Sequence, residues 1–167
     1  MTRILLAGLL ALALPVLAAC DSTDDDLVTI TTLVVADADL STLEAAVVEA
    51  DLDGTLDGAG PFTVFAPTDA AFLALLDVLD ATAAELLARD DLADILRLHV
   101  ASGEIEADEL SDGQTVTTLN GNVTIVAEGS GFGIDTDADG QADATITVTD
   151  IEASNGVVHK IDAVLLP

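Results

Sequence analysis

The chain has 167 residues, of which 51% are hydrophobic and 2% aromatic, so it can bury one core and is too short for two ordinary domains. It contains 31 acidic and 4 basic residues, for a net charge of −27, which argues against a nucleic-acid partner and against attraction to anionic lipid headgroups. The single cysteine excludes an intramolecular disulfide, and together with two histidines it cannot build a zinc site of four cysteines or of two cysteines and two histidines.

Residues 1–19 predict a lipoprotein signal peptide. Arg3 precedes an apolar run over residues 4–14, which is too short for a comfortable transmembrane span. The segment ends in Leu17-Ala18-Ala19-Cys20, which resembles the lipobox of bacterial lipoproteins. This resemblance implies cleavage after residue 19 and a lipid on Cys20 that attaches the protein to the inner or the outer membrane of a bacterial cell envelope. An ordinary signal peptide with a chance cysteine is the alternative.

Residues 20–26 predict a short acidic tether between this anchor and a folded domain. After Cys20 the segment contains four aspartates and no apolar residue, so it is expected to stay solvated. Its reach is about 20 Å at most. Residues 27–167 then form one domain, with no second linker in the sequence.

Two capping boxes predict helices in the first half of this domain. Ser41-Thr42-Leu43-Glu44 places a glutamate three residues after a serine, and apolar residues then recur at helical spacing, which predicts a helix from about 41 to 50. Thr82-Ala83-Ala84-Glu85 repeats the pattern. The apolar residues after it predict two helical segments that are interrupted near Asp90-Asp91.

A strand, a turn and a helix are predicted between the two capping boxes. Residues 62–66 are compact and apolar, which predicts a buried strand that ends at Pro67. Thr68 is placed to cap the helix that follows.

Residues 27–35 are rich in β-branched side chains, and by propensity alone they predict a strand.

The second half of the domain alternates apolar and polar residues between turn signals, which predicts a mostly antiparallel sheet. Asn120-Gly121 and Asn155-Gly156 are typical of hairpin turns. The predicted strands cover residues 115–119, 122–127, 144–149 and 157–166.

Two longer segments, residues 60–72 and 154–167, resemble the two signature boxes of the fasciclin domain family. The matching residues are Phe62, Thr63, Phe65, Ala66, Pro67, Thr68, Asp69 and Phe72 in the first box, and Asn155, Gly156, His159, Ile161 and Asp162 in the second. The resemblance covers residues 27–167. It implies an α+β fold in which a β-sandwich-like wedge of antiparallel strands is flanked by several short helices, with central strands from both boxes. It also implies that residues 27–36 form a helix, against their propensity.

Known fasciclin domains act chiefly in adhesion outside the membrane, so the resemblance implies a protein or glycan partner on a cell surface or in a matrix. The family's adhesive segments correspond here to Asp94, Ile95, Leu98 and His99. Leu98 stands where the family usually has a tyrosine. Lys160 stands where the second box usually has an apolar residue, and alternation along the strand points it away from the core.

Residues 135–143 resemble part of a calcium loop. The candidate oxygen ligands are those of Asp135, Asp137, Asp139, Gln141 and Asp143, with glycine at the sixth position. The twelfth position, where a bidentate glutamate normally completes the shell, is Ile146, so weak binding is expected. The alternative is an acidic hairpin tip that binds no ion.

No residue pattern in the sequence indicates an enzyme. His99 and His159 lack metal or triad spacing, so they are expected to make structural hydrogen bonds. The sequence has neither a Gly-x-Ser-x-Gly elbow nor a phosphate-binding loop. Calcium is therefore the one candidate cofactor.

The excess of aspartate over glutamate, 23 to 8, resembles the composition of proteins adapted to high salt.

Together, the lipobox-like segment and the family resemblance predict a lipid-anchored, extracytoplasmic adhesion protein. Two other functions remain open at this point. One is a carrier of a small hydrophobic ligand, and the other is a purely structural lipoprotein of the envelope.

Overall fold

The structure, a computed structural model, describes residues 27–167. The predicted signal peptide, Cys20 and the acidic tether lie outside the described residues. Among residues 27–167, no helix combines the length and the apolar character needed to cross a membrane.

Six α-helices and seven strands make up the described chain. The helices are α1 (Ile30–Ala36), α2 (Ser41–Glu49), α3 (Asp53–Leu56), α4 (Asp69–Leu79), α5 (Ala83–Leu87) and α6 (Leu92–Leu98), with a 3-10 turn at Ala38–Leu40. The strands are β1 (Phe62–Pro67), β2 (Val100–Ser102), β3 (Thr115–Thr118), β4 (Gly121–Glu128), β5 (Gly131–Asp135), β6 (Ala144–Ala153) and β7 (Gly156–Ile161).

The seven strands form one closed barrel in chain order, which corrects the expected β-sandwich-like wedge. Consecutive strands pair antiparallel from β1 through to β7. The barrel closes because β7 also pairs with β1, and this pair is parallel, from Phe62 opposite Gly156 to Pro67 opposite Ile161. Closure satisfies the backbone groups that a wedge of two sheets would leave at its edges. The two signature boxes therefore lie side by side, as the resemblance implied.

Two hydrophobic cores lie on opposite faces of β1. Phe65 points into the barrel interior with Ile125, Ile134 and Ile161. Val64 and Ala66, on the other face, pack under the helices. Because both of its faces are buried, β1 consists almost entirely of buried residues, as is typical of a strand covered on both sides.

Residues 30–36 form helix α1, so the strand predicted from propensity is wrong and the helix implied by the family resemblance is confirmed. Thr29 caps the helix, with its Oγ1 accepting from the Thr32 amide at 3.4 Å. Ile30 and Val34, one turn apart, are both buried. Tertiary packing of this pair outweighs the β-branched propensity of the segment.

The predicted caps have different outcomes. Thr68 caps α4, since its Oγ1 accepts from the Ala71 amide at 3.4 Å, and Thr82 forms the expected capping box with Glu85. Ser41 does not form one: α2 begins at Ser41, and its hydroxyl donates to Asp69 Oδ2 at 2.6 Å. A partner from another helix therefore replaces the local glutamate.

The strand predictions hold for β1, β3 and β4 and are incomplete elsewhere. Strand β2 was not predicted, and β6 continues to Ala153, beyond the predicted limit at residue 149. Strand β5 was not predicted. Strand β7 ends at Ile161, five residues before the predicted limit. Beyond it Leu165 is fully buried, and its backbone amide donates to His99 Nε2 at 2.9 Å. The backbone amide of Leu165 is therefore bonded to a side chain and not to a neighbouring strand.

Candidate functional site

The first signature box links strand β1 to the helical layer through Asp69. Its carboxylate accepts from the Ser41 hydroxyl at 2.6 Å and from the Thr42 amide at 2.7 Å, at the first turn of α2. Burial by itself raises the pKa of Asp69, but these hydrogen bonds outweigh it and hold the pKa below its ordinary value. The carboxylate thus supplies the cap that α2 lacks.

Asn155 of the second box joins three separate parts of the chain. Its Nδ2 donates to the carbonyls of Leu56 at 2.6 Å and Gly58 at 3.0 Å, and its Oδ1 accepts from the Ile30 amide at 3.0 Å. Gly156 follows with a φ of +149°, where a Cβ would overlap the carbonyl oxygen of Phe62. Both residues are therefore required by the fold.

His159 is buried on β7, opposite Phe65 of β1. Its Nδ1 accepts from the Asp150 amide at 3.2 Å, so Nε2 carries the proton and donates to the Ile105 carbonyl at 2.9 Å. Its ring stacks on Phe65 with centroids 5.9 Å apart. Asp162 lies nearby in the chain and accepts from the Thr145 amide at 2.7 Å. All of these contacts are with other parts of the domain, so they stabilise the fold.

The candidate adhesion segment lies on and just after α6, with only one exposed member. Ile95, Leu98 and His99 are 3%, 4% and 1% exposed. The side chain of Asp94 is 57% exposed and lies 3.1 Å from Arg97. Its backbone carbonyl accepts from Asn120 Nδ2 at 2.9 Å. A partner can therefore reach this segment through Asp94 and its exposed neighbours, and not through the other three side chains.

The buried ring of His99 bridges α6 and the end of the chain. Its Nδ1 donates to the Ile95 carbonyl at 2.8 Å, because Nε2 accepts from the Leu165 amide at 2.9 Å. Burial lowers the pKa of His99 to about 4, although the hydrogen bond to Ile95 favours the charged form. The ring is neutral at physiological pH and occupies both of its nitrogens with backbone groups.

The acidic loop between β5 and β6 brings together three of the five predicted calcium ligands. One carboxylate oxygen from each of Asp135, Asp137 and Asp143 lies within 4.8 Å of the others. Asp139 and Gln141 are outside this group and bond to each other, with Gln141 Nε2 donating to Asp139 Oδ2 at 3.0 Å. Carboxylate oxygens at this spacing are suitable ligands for a hard cation.

Asp135 is the buried member of this group, with 1% of its surface exposed. Its carboxylate accepts three backbone amides, from Asp137 at 3.1 Å, Ala138 at 2.6 Å and Gly140 at 2.8 Å. Burial raises the pKa of Asp135, but the hydrogen bonds from this loop outweigh it and lower the pKa overall. The loop thus holds Asp135 ionised.

The expectation that Lys160 points away from the core is wrong, because both faces of β7 are covered. It lies on the same side of β7 as Val158, towards the helical layer, and its Nζ contacts Asp37 Oδ2 at 2.6 Å and Asp39 Oδ2 at 3.4 Å. The Lys160 side chain is 12% exposed. A hydrogen bond from Lys160 lowers the pKa of Asp37, and the same contact raises the pKa of Lys160. The lysine therefore ties β7 to the turn after α1.

The remaining surface charge is acidic. Arg89, Arg97 and Lys160 are the basic residues after Cys20, and each is in an ion pair. In the loop between β2 and β3, the charge of Asp108, together with burial and weaker effects of neighbouring carboxylates, raises the pKa of Glu106. The neighbouring carboxylates therefore disfavour the charged form of Glu106.

Comparison with known proteins agrees with this fold. The family model for the Fasciclin domain matches residues 38–167. Protein sll1483 of Synechocystis is 37% identical over 147 residues, which are 86% of this chain and 76% of that protein. A solved FAS1 domain pair from the insect cell adhesion molecule Fasciclin I matches with a TM-score of 0.69 at 22% identity, over 84% of this chain and 51% of that one. The chain belongs to the fasciclin domain family.

Two animal proteins match this chain over a small part of their own, much longer chains. Human periostin is 31% identical over 134 residues, which are 79% of this chain and 15% of periostin. The pig transforming growth factor-beta-induced protein ig-h3 is 33% identical over 131 residues, 75% of this chain and 17% of that protein. This chain therefore corresponds to one domain of these proteins.

Proposed function

We propose that this protein is a lipid-anchored adhesion protein of a bacterial envelope, whose fasciclin domain binds a protein or glycan of a cell surface or matrix. The observation that carries the proposal is membership in a family that includes a named cell adhesion molecule. The lipobox at Cys20 supports a position outside the cytoplasmic membrane, where fasciclin domains typically occur. The short tether after it keeps the domain near that membrane.

The contact surface we propose is the α6 edge, defined as Asp94, Arg97, Leu119 and Asn120. Asn120 fixes the loop before β4 against α6 through its bond to the Asp94 carbonyl. Leu119 is 40% exposed beside it, so the edge combines an apolar side chain with a charged pair. A single edge of this size gives weak contacts. Many anchored copies would raise the total strength of attachment through avidity.

The anchor is tested by replacing its cysteine. Cys20→Ser is expected to move the protein from the membrane fraction to the soluble fraction, because it removes the only acceptor for a lipid thioether. A variant that stays with the membrane contradicts lipidation. The matched control is Ser22→Ala in the tether, which is expected to stay in the membrane fraction.

Adhesion is tested with beads coated with residues 21–167, offered to the organism's own cells and to matrix polymers in high salt. Retention above that of an unrelated, equally acidic protein supports adhesion, and loss of retention in Asp94→Asn or Asn120→Ala assigns it to the α6 edge. Asp108→Asn removes one negative charge from the loop between β2 and β3, outside the α6 edge, and is expected to have no effect. Absence of retention on every surface overturns the adhesion proposal.

Among residues 27–167, the apolar cavities under the helices are too small for a carried ligand, whereas an open cleft beside Leu79, Leu86 and Ile95 has a volume of about 210 Å³. The two apolar cavities under the helices have volumes of about 20 and 10 Å³, enough for one water molecule at most. Solvent extraction of the purified protein, followed by absorption spectroscopy and mass spectrometry, is the corresponding test. A stoichiometric coloured or lipidic ligand would establish the carrier function in place of adhesion. A purely structural function predicts instead that an unrelated acidic domain on the same anchor restores the wild-type envelope.

A further inference from the structure

The exposed face of α4 departs from the acidic character of the molecule. Its outward positions are Ala70, Leu73, Ala74, Asp77 and Val78, four of them apolar. Leu73 is 66% exposed and Val78 is 82% exposed, the two highest values among the large apolar side chains of residues 27–167. The helix buries Phe72 and Leu75 on its other side, so this outward face is not needed for the core.

The charges at this face are negative and have no basic neighbour on the helix. Asp77 lies among the apolar side chains, Asp80 caps the end of the helix, and the last turn contains no basic residue. Carboxylates at the C-terminal end of a helix repel the partial negative charge of its last carbonyls. A cation at this end would relieve that repulsion.

We propose that the outward face of α4 is a docking surface for a cationic amphipathic helix. The apolar side chains of such a partner would cover Leu73 and Val78, and its lysines or arginines would pair with Asp77 and Asp80. The eleven residues of α4 span about 16 Å, which matches a partner of about three turns. This face shares no residue with the α6 edge, and the inference does not depend on the adhesion proposal.

A second copy of this chain is the less suitable occupant. Two copies would bring together molecules with a net charge of −27 each, so the approach is repulsive except in concentrated salt. A stable dimer also needs about 800 Å² from each partner, which is a much larger area than one short helix face. A cationic helix requires neither a large area nor screening.

The test uses an amidated amphipathic peptide of leucine and lysine, titrated into the mature protein in about 1 M KCl, where screening suppresses non-specific attraction. Calorimetry is expected to give a saturable 1:1 isotherm, and amide shifts in NMR spectra are expected to cluster on α4. A leucine–glutamate peptide of the same length is expected not to bind. Asp77→Asn is expected to weaken binding a few fold by removing the central charge.

The decisive variant is the double substitution Leu73→Glu and Val78→Glu. It adds two negative charges, so binding by charge alone would be unchanged or tighter, whereas docking on the α4 face is expected to weaken about tenfold or more. Val148→Glu, at a side chain 44% exposed on β6, is the matched control and should bind as the wild type does. Equal or tighter binding by the double variant overturns the proposal. So does a salt-stable dimer in sedimentation that the double variant abolishes, since that assigns the face to a second copy.

Discussion

Asn155 and Ile30 are 125 residues apart in the chain and are joined by one hydrogen bond of 3.0 Å, from the Ile30 amide to Asn155 Oδ1. Through it, the hairpin between β6 and β7 holds the first turn of α1. The same side chain donates to the carbonyls of Leu56 and Gly58, so Asn155 links the helical layer to the hairpin that leads into the closing strand of the barrel.

Asn155→Ala is expected to lower the free energy of unfolding by about 2–4 kcal/mol, because three backbone groups lose their partner. Asn155→Asp keeps the acceptor for Ile30 but places a carboxylate against two carbonyls, so it is expected to be no more stable than the alanine variant. Urea denaturation measures both. Asn122→Ala, at an exposed position of β4, is the control and is expected to change stability by less than about 0.5 kcal/mol.

Lys160→Met is expected to destabilise the protein by about 1–2 kcal/mol, although methionine restores the apolar character usual in the family. The substitution leaves the carboxylates of Asp37 and Asp39 near each other without their cation. Hydrogen exchange should then show earlier opening of the turn between α1 and α2. Stability equal to that of the wild type in dilute buffer would contradict this account.

The buried His99 predicts a defined pH dependence. Its pKa is lowered from 6.5 to about 4 in the folded protein, so above pH 6.5 the ring is neutral in both folded and unfolded chains and contributes no slope. Below 6.5 the unfolded chain binds a proton that the folded protein does not, and stability falls as the pH falls towards 4.

This contribution is measured as the difference in unfolding free energy between the wild type and His99→Gln, which cancels the titration of the carboxylates common to both proteins. Between about pH 7.5 and 5 the wild type is expected to lose about 2 kcal/mol relative to the variant. A difference that does not change with pH would mean that the pKa of the ring is the same in the folded and unfolded chains, and it would contradict the shift caused by burial. Denaturation at about 2 M KCl limits the effect of overall charge.

Salt is expected to stabilise the domain. Molar KCl shortens the Debye length to about 3 Å and screens repulsion between carboxylates. Glu106→Gln removes a carboxyl whose pKa is raised chiefly by Asp108, so it is expected to increase the Tm in dilute buffer and to have little effect at about 2 M KCl. Asp91→Asn removes a carboxylate paired with Arg89 and is expected not to increase the Tm at either salt concentration. A Tm that is flat across salt would refute the prediction.

Weak calcium binding is proposed at Asp135, Asp137 and Asp143. Calorimetry on protein treated with chelator is expected to give a Kd of about 10⁻⁴–10⁻³ M, since no bidentate glutamate completes the shell. Asp143→Asn should abolish the heat. Asp139→Asn changes the same loop outside the group of three carboxylates and should retain most of the binding. No heat with the wild type at millimolar calcium would end the proposal.

Local signals in the sequence predicted the helix caps at Thr68 and Thr82, because a cap depends on residues within one turn. They failed at Ser41, where the competing partner Asp69 lies 28 residues away in the chain. They also failed for residues 30–36, where β-branched propensity is weaker than the burial of Ile30 and Val34. Contacts that are distant in sequence decided these elements.

The predicted site residues divide in the same way. The spacing of the acidic loop predicted five calcium ligands, and the folded loop brings three of them together, Asp135, Asp137 and Asp143, while Asp139 pairs with Gln141. The candidate adhesion segment was assigned by resemblance, and the burial of Ile95, Leu98 and His99 leaves Asp94 as its one exposed member. The sequence also contained an unused signal for the α4 face, because Leu73 and Val78 lie off the helical face that carries the buried Phe72 and Leu75.

By itself, the sequence determined the family, the helix-rich first half, the strand-rich second half and the acidic surface, because these follow from motifs, periodicity and composition. Only the tertiary structure decided that the sheet closes into a barrel, that Lys160 meets Asp37, and which side chains of α6 and α4 reach solvent. Closure depends on pairing β1 with β7, strands separated by most of the domain. A pairing of this kind is set by how the whole chain packs, which no local pattern of residues specifies.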